Sequence, residues 1–394
     1  MGTRLVVSVA LFVANAAFAQ TAPAPAAPAP TAPPKADERV FQLPQGFPGS
    51  PWSFIGYAIT SPSEPQWFVA NGTPRGGTLG RRSGQDAAGS AVIVMTGEGI
   101  NKAIESDAAL LELVRARHAR IGERWTISRH DETIARHGGT RCARHLIEAR
   151  EPEDTSPRKG AAKINARRDW LHVIGLSCVH PTDATVLIEI GASERSPQPK
   201  MNPSLAREAG KVIGSLAFQR FNEQALQKAA EAARSGQLAD AEAVLKPYID
   251  ADAAWARYFL SQIIQRATPA PDDAGPRMKA LLEPAAVRGL ADAQWSLGTL
   301  LLRGATGVPR DPKTAEQWLR RAAERGNPGA AFQLGISMLS DQDGLPQRPQ
   351  EALLWIQRAA ARGQKEAQEL LRSTQQSGQR PADAGTTPAP SPAK

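Results

Sequence analysis

The sequence predicts an α+β front domain with a mostly antiparallel sheet and flanking helices, followed by an all-α helical-repeat solenoid. Three observations predict it. A 37-residue unit is written twice over residues 291–363. Ala-rich amphipathic stretches precede it from residue 221, and short β-rich runs punctuated by Gly, Pro and Ser fill residues 37–220.

Within the repeat, Trp295 is answered by Phe332, Leu297 by Leu334, Gly298 by Gly335 and Gly307 by Gly344. Trp318 is matched by Trp355, Ala322 by Ala359 and Gly326 by Gly363, always with the same offset. A fixed period of this size marks stacked helical units, none of which can bury its apolar face alone. The first copy reads as two helices, 291–304 and 311–326, each with an apolar stripe at helical spacing. Asp311-Pro312 is a helix start, because Asp caps free amide groups and Pro suits the first turn. Gly326 sits where a helix ends on a left-handed residue. Gly298 and Ala322-Ala323 are small enough to let backbones approach, with Trp318 expected to fill the gap beside them. Ala285-Ala286 and Arg288-Gly289 repeat the pattern once more, one period earlier. Residues 221–252 read as a helical hairpin turning at Ser235-Gly236, 254–266 as a further helix and 365–373 as a closing one.

Matches at Leu297-Gly298, Gly304, Gly307-Val308-Pro309, Asp311, Ala315, Trp318, Ala322-Ala323 and Gly326 resemble the Sel-one-like repeat, a relative of the tetratricopeptide repeat. The resemblance extends over 222–373. The second copy departs from it, with Asp341, Leu345 and Arg348 in place of the equivalents of Gly304, Val308 and Asp311. The resemblance implies stacked helix pairs whose first helices line a concave side and hold a protein or peptide partner. Gln294, Thr299, Arg303, Gln333 and Ser337 are the candidate contacts, as solvent-facing residues of first helices.

In the front half, 52–60, 66–72, 90–97, 140–151, 169–180 and 184–193 read as strands, and 106–122 and 204–218 as helices. His180-Pro181-Thr182-Asp183 is a hairpin turn. Carried inward from that turn, the pairing puts Val173 on one face with Val186, Ile188 and Ile190, and Ile174 and Leu176 on the other. Apolar residues on both faces predict a sheet covered on both sides. This order of elements resembles PsbP-like domains over residues 37–220.

Cys142 and Cys178 are the two cysteines, each on an expected strand. In an exported chain an even pair predicts a disulfide. Opposing 142 to 178 would set Leu146 beside Ile174 and Glu148 beside His172, a chemically sensible register. A catalytic thiol is the alternative, but nothing in the sequence places a base beside either sulfur.

Chemistry has little else to stand on. The six histidines, 118, 130, 137, 145, 172 and 180, all fall in the front domain, yet there is no H-E-x-x-H, no cysteine pair at ligand spacing and no His-x-His. Surface or hydrogen-bonded histidine is the plainer reading, with no metal and no cofactor expected. Ser156–Lys159 fits S-x-x-K only in a Pro-broken hydrophilic loop, and Ser391–Lys394 repeats the match at the end of the chain. Thr96-Gly97-Glu98-Gly99 lacks the third glycine of a dinucleotide turn. Glu148 and Glu189 are carboxylates without a context that would raise their pKa.

Residues 1–19 combine Arg4, an apolar run and Ala17-Phe18-Ala19, the pattern of a secretory signal peptide too short to span a bilayer. A Pro/Ala-rich linker is expected over 20–36 and a similar tail over 376–394. The net charge of +8 is spread along the chain, a weak argument for nucleic acid. The expectation is an exported, non-catalytic interaction scaffold, periplasmic or secreted, with domains at 37–220 and 221–375. It has an envelope protein or peptide as partner, no nucleic acid and no transmembrane segment after cleavage. The alternatives are a cell-wall-acting or β-lactam-binding enzyme, and a small-ligand or metal-binding accessory protein.

Overall fold

The computed structural model describes residues 49–64, 67–83, 89–152, 169–340 and 343–378. The leader-like stretch, the Pro/Ala-rich segment, Ser156–Lys159 and the tail beyond 378 lie outside the described residues. Strands β1 (Pro51–Ser53), β2 (Tyr57–Thr60), β3 (Trp67–Thr73), β4 (Gly76–Ser83) and β5 (Gly89–Gly99) are followed by helix α1 (Asp107–Gly122). Then come β6 (Thr126–His137), β7 (Thr140–Arg150), β8 (Trp170–His180), β9 (Asp183–Ser196), α2 (Pro203–Gly214) and β10 (Ala217–Phe218). Seven strands form an antiparallel sheet in the order β3-β4-β5-β9-β8-β7-β6, beside a small sheet β1-β2-β10. Ser106 caps α1, accepting from the Ala109 amide at 3.1 Å.

Three strands were not legible. The helix expected over 204–218 ends at Gly214, and Ala217–Phe218 pairs antiparallel with β2 as β10. In β4 the run Gly76-Gly77-Thr78-Leu79-Gly80 reads as turn, but it pairs with β3 and β5, and Gly80 leaves room for the Phe68 ring, which would lie 2.5 Å from a Cβ there. Edge strand β6 is mostly exposed or half-exposed and carries no clean alternation.

Opposite Cys142 stands Cys178, with Leu146 facing Ile174 and Glu148 facing His172, the register drawn from the sequence. The faces of β8 differ from expectation. A register shift lies between Val179 and His180, so Leu176, not Val173, shares a face with Ile188 and Ile190. One irregular step flips every side chain inward of it, because the side-chain period of a strand is two. Both faces are nonetheless covered. One carries Cys178, Val186, Ile188 and Ile190 in the main core, and the other packs beneath α1.

Nine helices follow among the described residues: α3 (Glu223–Arg234), α4 (Leu238–Asp250), α5 (Ala254–Arg266), α6 (Ala274–Val287), α7 (Ala291–Arg303), α8 (Pro312–Glu324), α9 (Pro328–Leu339), α10 (Pro349–Ala361) and α11 (Lys365–Gly378). Among the described residues, no helix is long and apolar enough to cross a membrane. Asp311 caps α8 through the Thr314 amide at 3.1 Å, and Gly326 is left-handed at φ +89°. The gap at Gly298 is filled by Leu319 rather than Trp318, since a Cβ there would stand 2.8 Å from Leu319 Cγ. Trp318 is half-buried against the repeat core, with the Arg321 guanidinium 4.7 Å over its ring. The main core runs through residue 220 without a break. Trp52, Tyr57 and Trp67 share one cluster with Phe221, Ala229, Leu245, Trp255 and Ile264.

Candidate functional site

First helices α5, α7 and α9 are joined by polar rungs. Gln262 Nε2 donates to Ser296 Oγ at 3.2 Å. Trp295 Nε1 and Thr299 Oγ1 both donate to Gln333 Oε1, at 2.9 and 2.7 Å. Trp295 itself lies over Gly329, whose Cβ would meet the indole at 2.6 Å. Of the five expected contact residues, Arg303 is exposed, and Thr299 and Gln333 are half-buried in these rungs. Gln294 and Ser337 are corrections, at 2% and 1% exposed. Gln294 stands three residues before Leu297, and Ser337 three after Leu334, which puts both on the buried stripe. Gln294 Nε2 donates to the Ala286 carbonyl at 2.9 Å, and the Ser337 hydroxyl donates to the Asp343 carboxylate. What remains accessible is a mixed strip of Trp295, Thr299, Phe332, Gln333 and Ile336, continued by Arg303 and Leu339.

A second surface is already occupied. Each second helix of the repeats ends in Arg-Gly, at 288–289, 325–326 and 362–363. All three corners meet the front domain. Ser53 donates through its hydroxyl to the Arg288 carbonyl at 2.6 Å and through its amide to the Gly289 carbonyl at 3.4 Å. Arg325 donates to the Pro51 carbonyl at 3.0 Å, and Arg362 to the Val69 carbonyl at 2.7 Å. Burial pulls both guanidinium groups down to about 10. The glycines let the backbones close: a Cβ at Gly289 would stand 2.1 Å from the Pro51 oxygen. Three repeats thus hold one β-domain by the same corner.

The third feature lies under α1. Leu110 and Val114 pack on Ala143, Val179 and Leu187 at one end, and Ile121 packs with Trp125, Ile147, Leu171 and Val173 at the other. Between those apolar patches the helix buries polar groups. Arg117 pairs with Glu98 and Glu189, and Ser177 Oγ donates to Glu189 at 3.2 Å. Burial pushes the Glu189 carboxyl above its ordinary range, opposed by Arg117. By register Glu148 is on the other face of the sheet, so these two carboxylates are not brought together. Beside Arg117, His118 Nδ1 lies 3.1 Å and His130 Nε2 2.8 Å from the same oxygen, Glu132 Oε1. Arg115 holds the other oxygen, Oε2, at 2.8 Å. Burial lowers His118, with Glu132 opposing. His145 pairs with Glu132 in the β6–β7 register, and its ring centroid is 4.4 Å from that of His118. It is 2% exposed, and neither ring nitrogen has a hydrogen-bond partner. Such a group costs about 1–3 kcal/mol left unpaired. Burial, then the charges of His118 and His130, hold its pKa down at about 3. The sequence signal for this convergence is His130-Asp131-Glu132, an alternate His/Glu pair on one face of a strand.

His137, His172 and His180 are spent elsewhere, each within 3.0 Å of a backbone carbonyl: Leu216, Gln198 and Gly56 respectively. The sulfurs of Cys142 and Cys178 face each other across β7 and β8, a pair placed to form a disulfide.

The architecture is therefore an antiparallel sheet domain bound to an array of paired helices, and its back half carries Sel1 repeats. Residues 291–327 and 328–364 each match the Sel1 repeat model. Among solved structures the chain is similar to a Sel1 repeat protein from Oxalobacter formigenes, with 24% identity and a TM-score of 0.32 over 37% of this chain and 57% of that one. It is also similar to a protective antigen of uropathogenic Escherichia coli displaying an SLR fold, with 18% identity and a TM-score of 0.35 over 43% of this chain and 36% of that one. The chain thus spans less than two thirds of either protein. A search of curated proteins gives no match. Sel1 repeat proteins are typically protein-interaction scaffolds and generally non-catalytic.

Proposed function

We propose that this protein is an exported, non-catalytic scaffold that holds a protein or peptide of the cell envelope on the first helices of its repeats, with the β-domain as an accessory. The observation that carries the reading is the accessible strip on α7 and α9. Trp295 and Phe332 stand at equivalent repeat positions, flanked by Thr299, Gln333, Ile336 and Arg303. Half-buried aromatics beside polar groups and an arginine are the composition of binding hot spots. The Arg-Gly corners of the array are taken by the β-domain. Export rests on the leader-like residues 1–19, and the periplasm or the exterior is the compartment that goes with them.

Because the core crosses residue 220, the test uses the intact chain. Wild type and a Phe332→Ala, Ile336→Ala, Arg303→Glu variant are used to capture partners from detergent-solubilised envelope. The same partner should be retained by wild type and lost by the variant at equal thermal stability. Equal capture by both would defeat the proposal. Fractionation of cells expressing the tagged chain tests export: recovery in the cytosol with residues 1–19 still attached would contradict it.

A further inference from the structure

We propose that His118, His130 and Glu132 bind one divalent transition-metal ion of the zinc class at the outer end of the polar band beneath α1. The site lies in the front domain and does not depend on the scaffold reading.

The trio's ligand atoms lie within 4.8 Å of one another. Glu132 Oε1 is 3.1 and 2.8 Å from the two imidazole nitrogens. Donors about 2.0–2.1 Å from a tetrahedral zinc stand roughly 3.3 Å apart, so the carboxylate already sits close to chelating distance from both rings. The donors come from rigid elements. His118 is on the buried face of α1, and His130 and Glu132 are alternate residues of β6, which places them on one face of the strand. Two imidazoles and a carboxylate suit zinc and its first-row neighbours rather than magnesium or calcium.

His145 is the second, independent observation. The sheet makes room for it: Gly175 is its partner on β8, and a Cβ there would fall 2.3 Å from His145 Nε2. A site that excludes a side chain to seat an imidazole, and then gives that ring no hydrogen-bond partner, is shaped for something other than packing. The ring stands edge-on to His118, the next nitrogen donor behind the trio. Arg115 fixes the far oxygen of Glu132, leaving Oε1 to the ion, as outer partners of metal-binding carboxylates do. The trio lines a surface cavity shared with Arg115, Ala119, Ile127, Asp131 and Thr133. That cavity gives the ion a way in and leaves a coordination position toward solvent, the arrangement of a site that can take a further ligand.

The test uses the untagged full chain, stripped with chelator, loaded with zinc chloride, desalted and measured by elemental analysis. Cobalt loading provides a second readout through its visible ligand-field bands. One equivalent of zinc is expected. His130→Ala and Glu132→Gln should each lower affinity at least tenfold, with an unchanged circular dichroism spectrum. Asp131→Asn removes a charge at the same mouth without removing a ligand and should bind as wild type. The side chain of His130 is 27% exposed, so its substitution tests the site even if the Glu132 variant fails to fold. The proposal is overturned if wild type retains no zinc after desalting, or if folded His130→Ala retains as much.

Discussion

Helices α1 and α8 each lay one face on a larger surface, on opposite terms. The buried residues of α8 are Ala315, Leu319, Ala322 and Ala323, an apolar set seated against small neighbours such as Gly298. Those of α1 run Leu110, Val114, His118 and Ile121, and the histidine opens onto a band holding Glu189, Ser177 and the unpartnered His145. Stability alone explains α8. It does not explain α1, where the middle of the interface keeps polar groups at a free-energy cost. Groups retained against stability point to a use, whereas small-to-large packing that repeats every 37 residues points to scaffolding.

That contrast can be broken in graded ways. Leu319→Ala removes the side chain that fills the Gly298 gap and should cost about 3–5 kcal/mol in urea unfolding. A loss below ~1 kcal/mol would mean that the interface relaxes and is not the tight seam described. Removing the Cys142–Cys178 link, by reductant or by substituting both with Ala, should cost on the order of 3–4 kcal/mol for two residues 36 apart in sequence. An unchanged midpoint on reduction would mean that the pair is not bonded in solution. His145→Leu should stabilise the metal-free chain by about 1 kcal/mol, because it deletes a buried polar ring that lacks a partner. A loss of stability would mean that the band is ordinary core.

A pH-dependent effect is expected at Asp292, in the first turn of α7. Burial raises its carboxyl from 3.8 to about 6, although Asn327 Nδ2 donates to it at 2.8 Å. The folded chain therefore holds the proton more tightly than the unfolded one, and stability falls as pH rises from about 4 to about 6. Asp292→Asn keeps an acceptor for Asn327 and cannot ionise. Its melting temperature should match wild type near pH 4 and exceed it near neutrality, and no difference at either pH would contradict the assignment.

The two regions also differ in how far the sequence reveals them. The repeats were legible in detail because the same contacts recur: Gly298 and Gly335, Ala322 and Ala359, and Gly326 and Gly363 each repeat one solution. Even there, the helical stripe had to be followed residue by residue to see that Gln294 and Ser337 point inward. In the front domain the cysteine register could be read, since sulfur chemistry fixes one pair and period two fixes the rest. The face of Val173 could not, because the shift beside His180 leaves no mark in composition. The histidine cluster was hidden for another reason. Its members come from α1, β6 and β7, and only the register and the helix crossing bring them together. The Arg-Gly corners were visible as a repeat, but as helix ends; nothing in the sequence says that a β-domain docks on them.

That docking makes one molecule of two halves, and the third corner supplies its control. Gly289 and Gly363 hold the same repeat position with φ +83° and +87°, but only Gly289 is pressed on the front domain, at the Pro51 oxygen, while a Cβ at Gly363 meets nothing within 4 Å. The direct measurement is the unfolding free energy of Gly289→Ala against Gly363→Ala. Gly363→Ala should cost about 1–2 kcal/mol, the left-handed penalty alone, and Gly289→Ala at least ~2 kcal/mol more. Equal costs would contradict the docking of the β-domain on the repeat corners.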